Sequence, residues 1–190
     1  LIFLRVRYIP YLKKTKKSKF IFTIKYIFAV SIILQMNIAK YELLTNTDVT
    51  LFRFKRKGIN GEIDKGIAYK PTKNDTIYNL GFGDLVFDQI QKEFIINDLI
   101  VSDNGDRNKI LATVAESAYI FSERYPERKI FFKGSTKSRT RLYRIAISLN
   151  LRELSKTFHI FGTIEDENGN IFNVPFDSNG DFYGFIIKRK

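Results

Sequence analysis

A chain of 190 residues with 32 Lys/Arg against 20 Asp/Glu carries a formal charge of +12, and its length suits one domain, with or without an appendage. It has no cysteine, which excludes disulfides, thiolate nucleophiles and cysteine-based zinc or iron–sulfur sites and fits a reducing, cytoplasmic compartment. The charge is uneven. Residues 1–35 hold eight basic residues and no acid, leaving 24 basic and 20 acidic groups on the other 155, a net of +4 that is ordinary for a globular domain.

That head is expected to be a non-native upstream extension, or a disordered, basic and apolar segment. The only methionine is Met36, and residues 1–35 are built almost wholly from Ile, Phe, Leu, Tyr, Lys, Thr, Val and Ser, as a translated AT-rich stretch would be. A targeting signal is the rival reading, with Lys13 to Lys19 as its charged region and Phe20–Leu34 as its apolar one. Lys25 interrupts that run, and no small-x-small cleavage site follows. The uncharged remainder, Tyr26–Leu34, is far short of the ~20 residues that span a bilayer. A basic segment lying on a membrane surface is the third reading. Residues 36–190 are expected to form a single α+β domain without a membrane span.

From Met36 onward, Tyr41–Leu44 is a short apolar start. Asp48 to Arg56 alternates, with Phe52 and Phe54 on one side and Arg53 and Lys55 on the other, a half-buried strand. The turn Gly58–Gly61 leads into a second strand carrying Ile63, Ile67 and Tyr69. After the Pro71–Asp75 loop, Thr76–Phe82 reads as a third strand. Gly81-Phe82-Gly83-Asp84 is expected to bend, or to let another backbone come close. Leu85–Ile90 is ambiguous, and Phe94–Val101 reads as a kinked strand.

The turn cluster Ser102–Asp106 precedes a helix capped by Asp103 or Asp106, with an apolar stripe of Leu111, Val114, Ala115, Ala118, Phe121 and Tyr125, ended by Pro126. Ile130–Phe132 is a buried strand. The second helix is expected over about Thr136 to Leu154, burying Leu142, Ile145, Ala146 and Leu149, with Arg141, Arg144, Ser148 and Arg152 on another face. Asn168-Gly169 and Asn179-Gly180 mark hairpin turns in a closing three-strand meander. The order is β-β-β-(β)-α-β-α-β-β-β: a mainly antiparallel sheet with two helices packed on one face.

Three stretches carry a resemblance: Tyr78–Asp84, Asn104–Asp106 with Lys109–Ala115, and Gly134–Thr136 with Arg139–Arg144. Together they resemble a bacterial family of unknown function whose proteins have an ordinary single-domain length. The likeness runs from Met36 to the C-terminus and implies no activity, cofactor or partner.

The residues themselves offer one anion-binding corner. Gly134 allows a sharp turn, Ser135 or Thr136 can cap the second helix, and its first N–H groups can meet an anion. Arg139, Arg141 and Arg144 add forked donors suited to phosphate. No G-x-x-x-x-G-K-[ST] loop is present. In the bland alternative the arginines pair with Asp84, Asp103 or Asp106 and serve only the fold. The Asp103–Asp106 cluster lacks the spacing of a calcium loop, so no metal and no cofactor is assigned.

The lone His159 is read as structural or exposed. Tyr143 lies one turn from Arg139 and can meet it. Phe52–Lys57 mixes aromatics with cations, but alternation makes it a solvated basic edge rather than a stacking platform. The resulting expectation is binding of a phosphate-bearing ligand, a nucleotide or nucleic acid. A hydrolase or nuclease using Asp84, Asp103 or Asp106 beside the arginines, in a toxin–antitoxin or defence module, is the second reading. A structural or protein-interaction module is the third. Catalytic residues and oligomeric state are left open.

Overall fold

A computed structural model of the chain describes residues 4–6, 39–58, 61–90, 92–98 and 105–190. Its elements are β1 (Leu4–Val6), β2 (Leu44–Thr45), β3 (Leu51–Gly58), β4 (Gly61–Pro71), β5 (Ile77–Asp88), β6 (Glu93–Asn97), α1 (Arg107–Arg124), β7 (Lys129–Phe132), α2 (Lys137–Leu149), α3 (Leu151–Thr157), β8 (Phe158–Glu165), β9 (Ile171–Pro175) and β10 (Gly184–Arg189). The strands form one sheet in the order β2-β3-β4-β5-β7-β10-β8-β9, with β6 paired to β5 and β1 to β6. Among the described residues only β5 and β7 run parallel, with Tyr78 opposite Ile130. The mainly antiparallel α+β architecture is as the sequence leads one to expect. No helix among the described residues is long and apolar enough to cross a membrane.

Alternation decides which face is buried. Register pairs Phe52 with Ile67, Ile67 with Phe82, Tyr69 with Leu80, Ile130 with Ile187, and Ile187 with Ile160. Opposed residues share a face, so these side chains form one apolar floor, and α1 lies on it. Phe121 is fully buried, with its ring 4.1 Å from that of Tyr69 and flanked by Tyr78 and Tyr125. Truncating such a side chain to alanine costs about 3–5 kcal/mol.

The buried face of α1 differs from the expected stripe. Ala112, Thr113, Glu116, Ser117, Ala118, Phe121 and Ser122 are buried, whereas Leu111, Val114 and Ala115 are only half-buried. The hydroxyls are tolerated because they are satisfied: Thr113 Oγ1 donates to Lys109 O and accepts from Tyr41 N–H, and Ser117 Oγ meets the Tyr69 hydroxyl at 2.8 Å.

Four further expectations are corrected. β5 continues as one strand through Gly81–Asp84 to Asp88, so the glycines do not end it. The close approach is real, however: a Cβ on Gly83 would lie 2.3 Å from Asn97 O. The second helix breaks at Asn150, whose amide donates to Ala146 O and whose N–H meets Ile147 O. Its supposed buried stripe is not packed, with Leu149 80% and Ile145 39% exposed and only Thr140 and Ile147 buried. The chain does not close in a meander, because β10 leaves the β8–β9 hairpin and inserts between β7 and β8. The Phe182 ring covers Gly162 and Gly180 and packs on Phe176 and Phe185, so an aromatic cluster fixes that return. Of the Ser102–Asp106 turn, residues 102–104, including Asp103, lie outside the described residues, as does the end of the Phe94–Val101 run.

Finally, Arg56 is not on a solvated edge. It shares the face of Phe52 and Phe54 and is 1% exposed. Its Nε donates to both Asp106 carboxylate oxygens at 2.9 Å, Nη2 also reaches Oδ1, and the Tyr41 hydroxyl donates to Oδ2 at 2.6 Å. Burial pushes the Asp106 carboxyl up, but hydrogen bonds from Arg56 and Tyr41 and the Arg56 charge outweigh it and hold it below the ordinary aspartate value.

Removing one partner leaves a desolvated charge, so Arg56→Ala is expected to cost about 3–5 kcal/mol in urea unfolding. Because the folded carboxyl is depressed, its contribution is present above the unfolded value of ~3.9 and drains as pH falls through the lower folded one. Acid titration of stability should therefore lose slope below about pH 4 in Asp106→Asn.

Candidate functional site

The two long helices stand apart over the floor and enclose a cleft of about 670 Å³. Its walls are apolar along most of their length: Leu111, Val114 and Ala115 from α1 face Leu142, Ile145 and Ala146 from α2. This explains why both expected stripes are only partly buried, since they line an open cleft. The polar lining includes Lys65, Asp84, Asp98, Arg107, Ser135, Arg139 and Tyr143.

The sheet itself opens there. On the edge of β5 away from β4, the ladder with β7 ends at Asn79 and that with β6 begins at Asp84. The intervening Leu80–Gly83 lines the cleft together with both end residues. Each of the three stretches that carried the resemblance therefore reaches the cleft: Asn79–Asp84 on β5, Ile110–Ala112 with Val114 and Ala115 on α1, and Gly134, Ser135, Arg139, Leu142 and Tyr143 at the start of α2.

The corner after β7 is built as the sequence suggests, though its arginines are not a cluster. Thr136 caps α2, its Oγ1 accepting from Arg139 N–H at 3.2 Å. Gly134 is buried, and its N–H donates to Thr140 Oγ1 at 3.1 Å. A Cβ on Gly134 would lie 2.4 Å from Thr140 N, so only glycine lets the strand end pack this tightly on the helix. Arg139 donates to Asp98 O and, at 2.7 Å, to Ser135 Oγ, which ties the turn to the end of β6.

At about 100° per residue, Arg141 projects some 160° away from Arg139. It is exposed and lies outside the cleft lining, while Arg144 turns to Gly180 O at 2.8 Å. Of the three, only Arg139 faces the cleft. The expected pairing of these arginines with aspartates gives way to a different one: Asp84 is buried against Lys65 and Asp106 against Arg56. His159 is exposed on the opposite face, across from Lys188.

Tyr143 lies edge-on to Phe132, with ring centroids 5.9 Å apart. Burial raises its phenol, Arg139 lowers it and Asp98 raises it again, leaving it above the ordinary tyrosine value and protonated at neutral pH. Asp98, Lys65 and Arg56 were missed as cleft residues. Parity alone could have found two of them, since Lys65 shares the parity of Ile63 and Ile67, and Arg56 that of Phe52 and Phe54. Asp98 carries no such signal.

A family model matches residues 37–190. The chain belongs to the family of unknown function DUF6934. No curated protein and no solved structure matches it. The DUF6934 match covers β2 to β10 and hence every residue named in the cleft.

Gly134→Ala should separate the turn from α2. Overpacking of this kind costs about 1–3 kcal/mol, read as a lower urea midpoint. Ser135→Ala, which alters an exposed side chain, should stay within about 0.5 kcal/mol of the parent.

Proposed function

We propose that this DUF6934 domain binds a nucleotide or similarly sized phosphate-bearing ligand in the interhelical cleft. The phosphate would meet Ser135, Arg139 and the first-turn N–H groups of α2, and the ring would lie against Tyr143, Phe132 and the apolar walls. The observation that carries this reading is the convergence of three distant stretches on one cleft that is apolar along its walls and polar where Arg139 enters. Its volume falls within the ~300–1,000 Å³ of small-molecule sites. A helix N-terminus with a forked cation beside it favours an anionic group. The reading narrows the earlier one, since Arg141 and Arg144 no longer belong to the contact set. An extended nucleic acid is less favoured than a nucleotide, because Arg139 lines a cleft between helices instead of a basic track along a surface.

A hydrolase is the second reading. Asp98 lines the same cleft and is close enough to Tyr143 to raise its phenol. Asp84 and Asp106 suit such a role less well, each being held by a buried cation.

Thermal unfolding of residues 36–190 against a panel of nucleotides and short RNA and DNA oligomers tests binding. A ligand at 100 times its Kd stabilises by about 2.7 kcal/mol. That shift should vanish in Arg139→Ala and in Ala146→Phe, which fills the cleft, yet survive in Arg141→Ala. Equal loss in Arg141→Ala, or no shift with any member of the panel, would sink the proposal. If the bound nucleotide is turned over, Asp98→Asn should stop turnover while keeping the shift.

A further inference from the structure

A second surface lies at the far end of the sheet, away from the cleft. β9 is the edge strand there, paired only with β8 among the described residues. Neither of its faces is covered: Ile171 is 48% and Phe172 51% exposed, and Ile164, opposite Phe172, is 42% exposed. Its outer backbone edge can be read from the ladders. Asp166 N–H donates to Asn170 O, so Asn170, Phe172 and Val174 direct their main-chain groups to β8. Tyr183 N–H reaches Thr163 O, which confirms that the alternate β8 residues turn to β10. The outward groups of β9 are therefore those of Ile171 and Asn173, ending at Pro175, which has no N–H.

Natural edges of this kind are usually blunted by lysines, bulges or a covering element. Here Pro175 blunts only the end of the edge, and the flanking charge is of the opposite sign. Residues 157–187 contain no Lys or Arg, yet hold Glu165, Asp166, Glu167, Asp177 and Asp181, in a chain of net +12. None of these five forms an ion pair among the described residues. Three precede β9 at its hairpin turn, and Asp177 follows it by two residues, so the apolar edge is bracketed by acid at both ends. Arg144, which donates to Gly180 O from α2, and Lys133, which donates to the Tyr183 hydroxyl, approach this stretch at its β10 side.

From this juxtaposition we infer that β9 accepts an extended segment of a protein partner as an added strand, one with an apolar centre and Lys or Arg at both ends. Main-chain hydrogen bonds to Ile171 and Asn173 would supply affinity, apolar side chains would cover Phe172 and Ile164, and the terminal cations would meet the acids. A second copy of β9 fits poorly, because self-pairing sets the acidic brackets against each other.

The test uses the full chain and a short synthetic peptide with lysines flanking an alternating valine–threonine centre, titrated by calorimetry. Binding is expected, with slowed amide exchange at Ile171 and Asn173. A peptide with glutamates in place of the lysines should bind at least tenfold more weakly. Asn173→Pro removes an outward donor without touching the β8 ladder, a substitution edge strands tolerate; it should abolish binding with an unchanged melting temperature. Should that variant fail to fold, Glu167→Lys with Asp177→Lys replaces it and should reverse the peptide preference. The inference fails if the lysine peptide does not bind, if both peptides bind alike, or if Asn173→Pro folds and still binds. It also fails if the chain dimerises through β9, which sedimentation of Asn173→Pro against the parent would reveal.

Discussion

The structure depends most on one buried arginine. Arg56 carries a full charge into the apolar side of the sheet, where an unpaired guanidinium would be prohibitively costly, so Asp106 must be present at the start of α1. The Tyr41 hydroxyl takes the carboxylate from the other side and also reaches Lys57 O. Three segments are thereby fixed to each other: β3, the N-terminus of α1, and the chain at Tyr41 that leads into β2. Asp106 occupies the N-cap position of α1 but spends its carboxylate on Arg56 and Tyr41 instead of on the helix. The helix gives up a side-chain cap in exchange for a fixed direction.

That direction matters for the cleft. α1 is anchored at its N-terminus by Arg56 and along its length by Phe121 against Tyr69. α2 is held independently, by the Gly134–Thr140 contact and by Arg139 reaching the end of β6. Two helices fixed to different parts of the sheet leave space between them, and their apolar stripes remain half-exposed within it. The Lys65–Asp84 pair adds a buried dipole on the floor beneath that space.

Much of the fold was legible in the sequence because alternation and turn chemistry are local. Phe52 and Phe54, the Asn168-Gly169 turn and the Pro126 stop each announced an element that exists. Insertion of β10 between β7 and β8 was not legible, since hairpin signals say which strands are adjacent in sequence and nothing about a strand that crosses back. The candidate site was half legible. Gly134, Thr136, Arg139 and Tyr143 were found from local pattern, whereas grouping Arg139 with Arg141 ignored the helical angle between them. Amphipathic spacing gave the apolar stripes correctly but could not tell a stripe that packs from one that lines a cleft, because that depends on where the neighbouring helix is anchored.

The position of β10 also bears on how the molecule is made. This strand follows both of its neighbours in the chain and is interior to the sheet, with Phe185 fully buried and hydrogen-bonded neighbours on both sides. Until it has left the ribosome, the β8–β9 hairpin has no strand joining it to β7, and the Phe132 and Ile160 faces have no Phe185 or Ile187 to meet. Vectorial synthesis therefore delivers this joining strand after the strands that it joins. Until then the nascent sheet consists of two unjoined parts, with apolar surface open between them.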